Sequence, residues 1–174
     1  MDKKKKILLV CCVVFVLLGF LIMFFDRIPK NVVPDIVSED RKMPDANAIT
    51  QEITGDISVE QDFINTTDNI TQLAVVFTRL YDADAVVVIE LDDGDSVLLQ
   101  KAIKCSDVKD QHRMFVETEE PLKDVVNKEL TLRIYSQNAS DTGLALMMQA
   151  SDDSTFRFGN AEMKGTICFS ISGK

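Results

Sequence analysis

Short alternating runs of apolar residues dominate the chain beyond Gly55, and they predict β-strands. A period of two places every second side chain on the same face of a strand, which is typical of antiparallel sheets with one buried face. Polar turn sequences separate the runs. Nine strands are predicted, at residues 57–63, 73–77, 87–91, 97–103, 114–116, 130–134, 144–148, 155–158 and 167–171. A short helix is expected only at residues 122–127, directly after Pro121.

The N-terminal stretch that begins at Ile7 and ends at Phe25 has a different pattern: nineteen residues without a charge, an amide or a proline. As a helix it would be close in length to the ~30 Å hydrocarbon core of a bilayer. The alternative is a cleaved secretory signal, whose apolar core is usually shorter and ends in a small-x-small cleavage site. This run instead ends in two phenylalanines and is followed directly by an aspartate and an arginine. The sequence therefore predicts a retained transmembrane helix that binds the lipid bilayer.

The distribution of charge predicts the orientation of that helix. Four lysines lie within residues 1–6, whereas Arg27 and Lys30 follow the helix, and the side richer in Lys and Arg stays in the cytoplasm. The C-terminal body is therefore expected to be extracytoplasmic, on a single-pass protein of the cell membrane. Because residues 1–25 carry +3 of a total of −9, the rest of the chain carries −12. A body this acidic excludes nucleic acid as a partner.

The remaining residues divide into a linker and one domain. Residues 26–54 contain three prolines and many charges without sustained periodicity, which predicts an extended stalk. Alternatively, part of this segment packs as an irregular arm through Val32, Val33, Ile36 and Val37. Residues 55–174 have the length of one ordinary domain. Their alternating runs predict a mainly β fold, an antiparallel β-sandwich.

The residues needed for common catalytic chemistries are missing. His112 is the single histidine, and its neighbours Gln111 and Arg113 offer neither a base nor an orienting group for a nucleophile. No glycine-rich phosphate-binding motif occurs, and no Cys and His residues have zinc-site spacing. We therefore expect a protein that is not an enzyme.

Acidic residues around Gly94 are a candidate metal site. Asp92, Asp93 and Asp95 could supply oxygen ligands to a structural calcium ion. Their spacing does not match an EF-hand loop, and Asp-Gly is also the preferred sequence for a tight hairpin turn. The hairpin turn is the favoured interpretation.

A second candidate is a ligand-binding rim for a glycan. Sugar sites combine an aromatic platform with polar side chains, and the chain has no tryptophan. The candidate rim consists of Tyr135, Arg133, Phe156 and Arg157. The alternative is an ordinary outward tyrosine on a sheet and phenylalanines that fill one end of the sandwich.

Two cysteines, Cys105 and Cys168, lie in the part of the chain expected outside the membrane, where a disulfide is allowed. Cys168 is out of phase with its apolar neighbours in the last strand, and Cys105 begins a loop. Pairing and free thiols are both open on the sequence.

A resemblance to a known family adds to this interpretation. Its residues are Gln61-Asp62-Phe63, Asp68 to Thr71, Leu73 to Phe77, Val86 to Gly94, Lys109-Asp110-Gln111, Pro121-Leu122 and Leu130 to Ser136. In this order they resemble the extracytoplasmic galactose-binding-like module of bacterial multi-pass envelope proteins, including membrane glycosyltransferase-like proteins. The resemblance implies a jelly-roll-like sandwich and is compatible with a structural calcium. This chain departs from the family because no further transmembrane helix follows its last strand.

These observations together predict a non-catalytic binding module for an envelope glycan or a polytopic membrane protein. The alternatives are an accessory subunit or detached fragment of a membrane glycosyltransferase system, and a structural surface protein that assembles through sheet edges.

Overall fold

Strand-forming sequences with alternating burial account for almost all of the regular structure. The computed structural model describes residues 39–173. Two single-turn 3-10 helices, Cys105–Asp107 and Gln137–Ala139, are the helices of this part of the chain. Its strands are Glu39–Arg41 (β1), Ala48–Ile49 (β2), Ser58–Ile64 (β3), Ile70–Arg79 (β4), Val86–Asp92 (β5), Val97–Lys104 (β6), Arg113–Leu122 (β7), Glu129–Ser136 (β8), Leu144–Gln149 (β9), Thr155–Phe158 (β10), Ala161–Lys164 (β11), Thr166–Ile167 (β12) and Phe169–Gly173 (β13).

A six-stranded antiparallel sheet has the order β11-β10-β3-β8-β5-β6. Its central strand β8 pairs with β3 along seven residues and with β5 along six, both without a register shift. Since successive side chains of a strand point to opposite faces, this regular register aligns the outward side chains of neighbouring strands in rows.

The second sheet is less regular. The long strand β4 pairs with β7 on one side and, on the other, with β13 along its first half and β9 along its last three residues. The short strands β1, β2 and β12 extend this sheet through β13 and β9. All pairs are antiparallel.

The apolar faces of the two sheets share one hydrophobic core, so the architecture is a mainly β, sandwich-like fold. Leu73, Val75 and Phe77 come from β4, and Leu130, Leu132 and Ile134 come from β8. Each of these side chains is at most 1% exposed. Burial of one such side chain contributes about 1.5–3 kcal/mol.

Arg41 of β1 lies against two aromatic rings of this core. Its guanidinium carbon is 4.9 Å from the ring centroid of Phe63 in β3 and 4.2 Å from that of Phe169 in β13. The two ring centroids are 5.0 Å apart. Arg41 Nε is buried without a hydrogen-bond partner, and burial lowers the pKa of the guanidinium. The contact with the ring faces is favourable for a cation in this position.

The strand prediction agrees with most of the sheet structure. Strands are present at all nine predicted places, although the last is divided at Cys168 into β12 and β13, and β7 is much longer than expected. The prediction of a helix at residues 122–127 was wrong. That segment is a turn in which Asp124 and Asn127 have positive φ, and the Asn127 amide donates to the Asn65 carbonyl.

Folded structure begins before the boundary expected at residue 55. Strands β1 and β2 pair with the second sheet, and Ile53 is fully buried in the core. Residues 39–54 therefore belong to the folded body and are not part of a free stalk.

No helix within residues 39–173 is long and apolar enough to cross a membrane. The predicted tail at residues 1–6, the predicted transmembrane helix at residues 7–25 and the predicted linker up to residue 38 lie outside the described residues.

Candidate functional site

The outer face of the six-stranded sheet carries a row of charged side chains that crosses every strand. Register pairs join Glu162 to Arg157, Arg157 to Glu60, Glu60 to Arg133, Arg133 to Glu90, and Glu90 to Gln100. Acidic and basic residues alternate along this row until the glutamine at its end. We call it the charged row.

Arg133 is the centre of the charged row. Its Nε lies 3.0 Å from Glu60 Oε1, its Nη1 lies 2.9 Å from Glu90 Oε1, and its Nη2 lies 3.7 Å from Asp92 Oδ2. Burial alone would lower the pKa of the guanidinium, but the hydrogen bond and charge of Glu60, with the charges of Asp92 and Glu90, hold that pKa above its ordinary value. The three carboxylates therefore keep Arg133 charged and fixed in direction.

Glu60 connects the two arginines of the row. Its Oε1 accepts hydrogen bonds from Arg133 and Ser58, while its Oε2 accepts from Arg157 Nε at 3.1 Å and Nη2 at 2.8 Å. Burial alone would raise the pKa of the Glu60 carboxyl, but hydrogen bonds from Ser58, Arg133 and Arg157 outweigh it and lower that pKa. Arg157 also lies 3.6 Å from Asp62.

Tyr135 lies beside the charged row, two residues after Arg133 in β8 and on the same face of the sheet. Its hydroxyl lies 3.4 Å from Glu90 Oε2 and accepts a hydrogen bond of 3.2 Å from Gln100 Nε2. Gln100 also donates to Glu90 at 2.8 Å. Burial, followed by the negative charge of Glu90, raises the pKa of the Tyr135 hydroxyl. The ring is thus held in place by its polar end, while one part of it remains exposed to solvent.

Three adjoining depressions lie along this side of the sheet. One of 440 Å³ is lined by Asp56, Ser58, Glu90, Arg133 and Tyr135, among others. One of 810 Å³ also contains Asp56 and Ser58, and extends past Glu60 and Arg157 to Asn160. A third, of 300 Å³, shares Glu60, Arg157 and Asn160 and reaches Glu162. Because they share these residues, we describe them together as the polar groove.

The side chains of three of the four residues of the predicted rim lie on one outer surface. Arg133, Tyr135 and Arg157 all lie on the polar groove. Phe156 also borders the 300 Å³ depression, but its side chain is 2% exposed and belongs to the hydrophobic core. Adjacent residues of one strand point to opposite faces, so the side chain of Phe156 points into the core and that of Arg157 points outward.

Glu60, Glu90 and Gln100 were not among the predicted site residues. Each of them occupies an outward position in its strand, and this position was the feature of the sequence that could have marked it as a candidate. The sequence does not show which outward residues face one another, because β3, β5 and β8 are far apart along the chain.

The acidic sequence around Gly94 forms the tight turn between β5 and β6. Gly94 has φ +86°, and its amide donates to Asp92 Oδ1 at 3.1 Å. Asp93 Oδ1 accepts from the backbone amides of Asp95 and Ser96, and Lys128 lies 3.5 Å from Asp93. These contacts explain the turn without a metal. In residues 39–173 no group of three or more His, Cys, Asp or Glu side chains is arranged to hold a metal ion. A calcium site at these aspartates stays a prediction.

Cys105 and Cys168 are free thiols in the structure, and both are buried. The Cys168 thiol donates a weak hydrogen bond of 3.5 Å to the Pro44 carbonyl. Burial raises the pKa of Cys105, and burial with the nearby charge of Asp45 raises the pKa of Cys168 to about 11. Both are therefore protonated at neutral pH and poor nucleophiles.

His112 lies in the loop between β6 and β7, with its Nδ1 2.7 Å from the Asp110 carbonyl oxygen. It is exposed and is not one of the residues that line the polar groove.

Comparisons with protein-family models, with curated proteins and with solved structures find no match to this chain. The function proposed for it therefore rests on its own residues and their geometry.

Proposed function

We propose that the chain is a membrane-anchored, non-catalytic binding module whose polar groove binds an envelope glycan. The observation that supports the proposal is the groove itself. It combines a fixed tyrosine ring with carboxylate, guanidinium, amide and hydroxyl groups on one rigid sheet. Saccharide sites need this combination, because sugar hydroxyls exchange hydrogen bonds with planar polar groups while an aromatic ring packs against the sugar C–H groups.

The anchor and the location are part of the same proposal. Residues 7–25 would hold the chain in the bilayer with the N-terminus in the cytoplasm, and the β domain would face the cell envelope. A jelly-roll-like connectivity of the galactose-binding-like type is the proposed finer classification of the sandwich. Display of a sheet face to the envelope would suit recognition of a polymer that lies outside the membrane.

The arginines of the groove would orient a glycan without reacting with it. Arg133 already contacts three carboxylates, so it supplies a fixed scaffold. Arg157 has a half-exposed side chain and is the more available donor. Ser58, shared by the 440 and 810 Å³ depressions, and Asn160, shared by the 810 and 300 Å³ depressions, add small polar groups.

Binding of oligosaccharides by the full-length chain in lipid nanodiscs tests the proposal. We expect millimolar to micromolar binding of envelope-type oligosaccharides, with affinity lowered about three- to tenfold by Tyr135→Ala and by Arg157→Ala. Lys109→Ala, an exposed residue outside the groove, is the matched control and should bind as the parent does. Addition and chelation of calcium in the same assay tests the predicted ion. Failure of every oligosaccharide to bind would overturn the proposal.

A further inference from the structure

The polar groove has more acidic than basic groups. Its basic groups are the guanidinium groups of Arg133 and Arg157, and each already contacts two or more carboxylates. Its carboxylates are those of Asp56, Glu60, Asp62, Glu90 and Glu162. An anionic ligand would therefore meet a surface of the same sign whose cations are already engaged.

Two of these carboxylates are not neutralised by a cation. Asp56 and Glu162 are exposed, and no ion pair within the described residues joins either of them to a basic side chain. Glu162 is the register partner of Arg157, but the Arg157 guanidinium turns instead toward Glu60 and Asp62. Asp56 lines the depression next to Tyr135, and Glu162 lines the depression beyond Arg157. The groove thus has one available carboxylate in each of these depressions.

From this geometry we infer that the polar groove binds a saccharide that carries free amino groups, such as a de-N-acetylated amino sugar. The inference rests on the proposed function and names its ligand class. An ammonium group on a sugar ring would pair with Asp56 or Glu162, while the ring hydroxyls would exchange hydrogen bonds with Ser58, Asn160 and the outer carboxylate oxygens.

A saccharide fits this surface better than a basic peptide. Peptides that bind sheets usually add to an edge strand, where backbone groups are unpaired, and anchor side chains in apolar pockets. Most of the polar groove lies on the outer side of β3, β8 and β10, three strands that are paired on both sides, and it reaches the edge strand β11 only at Ala161 and Glu162. Neighbouring strands are about 4.8 Å apart, which is close to the length of one sugar ring.

Binding of three oligosaccharides of equal length and different charge to the full-length chain in nanodiscs tests this inference. The probes are glucosamine oligomers, N-acetylglucosamine oligomers of the same length and galacturonate oligomers. At low salt and pH 6 we expect the glucosamine oligomer to bind about three- to tenfold more tightly than its acetylated counterpart, and the uronate to bind least. Because exposed charges are screened, 0.5 M salt should remove most of the preference.

Variants of the two available carboxylates make the test specific. Asp56→Asn and Glu162→Gln should each lower the preference for the free amine by about two- to threefold, with little change for the acetylated oligomer. Glu119→Gln, on an exposed position of β7, is the matched control and should leave the preference unchanged. Both target residues are exposed, so the variants should fold as the parent does.

The outcomes separate the two proposals. Equal binding of the amine and the acetylated oligomers, unaffected by either variant, would overturn the amine inference and leave glycan binding in place. Preferred binding of the uronate would also overturn it. Binding of none of the oligosaccharides would overturn both, as would exclusive binding of an oligolysine peptide that the oligosaccharides do not displace.

Discussion

The two faces of strand β8 are stabilised by opposite kinds of interaction. Leu130, Leu132 and Ile134 point into the hydrophobic core and are at most 1% exposed. Thr131, Arg133 and Tyr135 point outward, and Arg133 is held by carboxylates of three neighbouring side chains. The inner face depends on exclusion of water, whereas the outer face depends on charge pairing in partial contact with water. Core packing and the proposed binding surface thus lie on separate faces of the same strand.

The largest expected effect comes from the inner face. Leu132→Ala removes a buried side chain from the centre of the sandwich and leaves a cavity, so the free energy of unfolding should fall by about 2–5 kcal/mol. Urea unfolding, followed by the β-sheet circular dichroism signal, measures this loss. Thr131→Ala, the adjacent outward position, is the control. An equal loss for both variants would contradict the division between the two faces.

The next effect comes from the centre of the charged row. Arg133→Met leaves Glu90, which is 5% exposed, without its cation. Since the guanidinium is only partly buried, we expect the free energy of unfolding to fall by about 1–3 kcal/mol, a value between those for exposed and buried ion pairs. The double variant Arg133→Met/Glu90→Gln should recover part of this loss in the same unfolding assay. A double variant that is less stable than the single one would show that an unpaired buried charge is not the cause.

The charged row should also weaken in acid through Glu60. Its pKa is lower in the folded state than in the unfolded state, so its ionised form stabilises the fold above the unfolded value of about 4.3. This contribution is lost as the pH falls through the lowered folded pKa. We expect the melting temperatures of the parent and of Glu60→Gln to differ at pH 7 and to converge in acid, as the pH falls through the lowered folded pKa of Glu60. A gap that stays constant with pH would exclude Glu60 as the titrating group.

The smallest stability effect should come from the outermost arginine. Arg157→Ala removes a half-exposed ion pair with Glu60, so the expected change is at most about 1 kcal/mol. Thermal unfolding beside Lys109→Ala checks this value. Because the fold should be unaffected, a loss of glycan binding in Arg157→Ala would report on the groove alone. A loss of several kcal/mol would instead make Arg157 a structural residue.

Alternation along the chain was enough to predict which side of β8 faces the core. It predicted strands at nine places and the outward positions of Arg133 and Tyr135. It did not predict β1 and β2, because strands of two or three residues carry too few side chains to show a period. It did not predict β11, because all four of its residues are exposed and no alternation is present. The helix expected after Pro121 failed because backbone hydrogen bonds with the β3–β4 loop hold that segment in a turn.

The composition of the charged row could not be predicted from the sequence. Glu60 and Arg133 are separated by 73 residues, and their contact depends on the strand order of the six-stranded sheet. Periodicity fixes the face of a residue but not its neighbour on the next strand. Periodicity alone could have corrected the prediction for Phe156, because adjacent residues of a strand point to opposite faces and Phe156 and Arg157 are adjacent.

The position of Arg41 has a mechanical consequence. Among the described residues, the first element of the folded body is β1, a strand of only three residues. The Arg41 guanidinium contacts the rings of Phe63 and Phe169, which belong to different sheets. Separation of β1 from the folded body must therefore break both of these cation–π contacts. A force applied to β1 would thus be shared by both sheets.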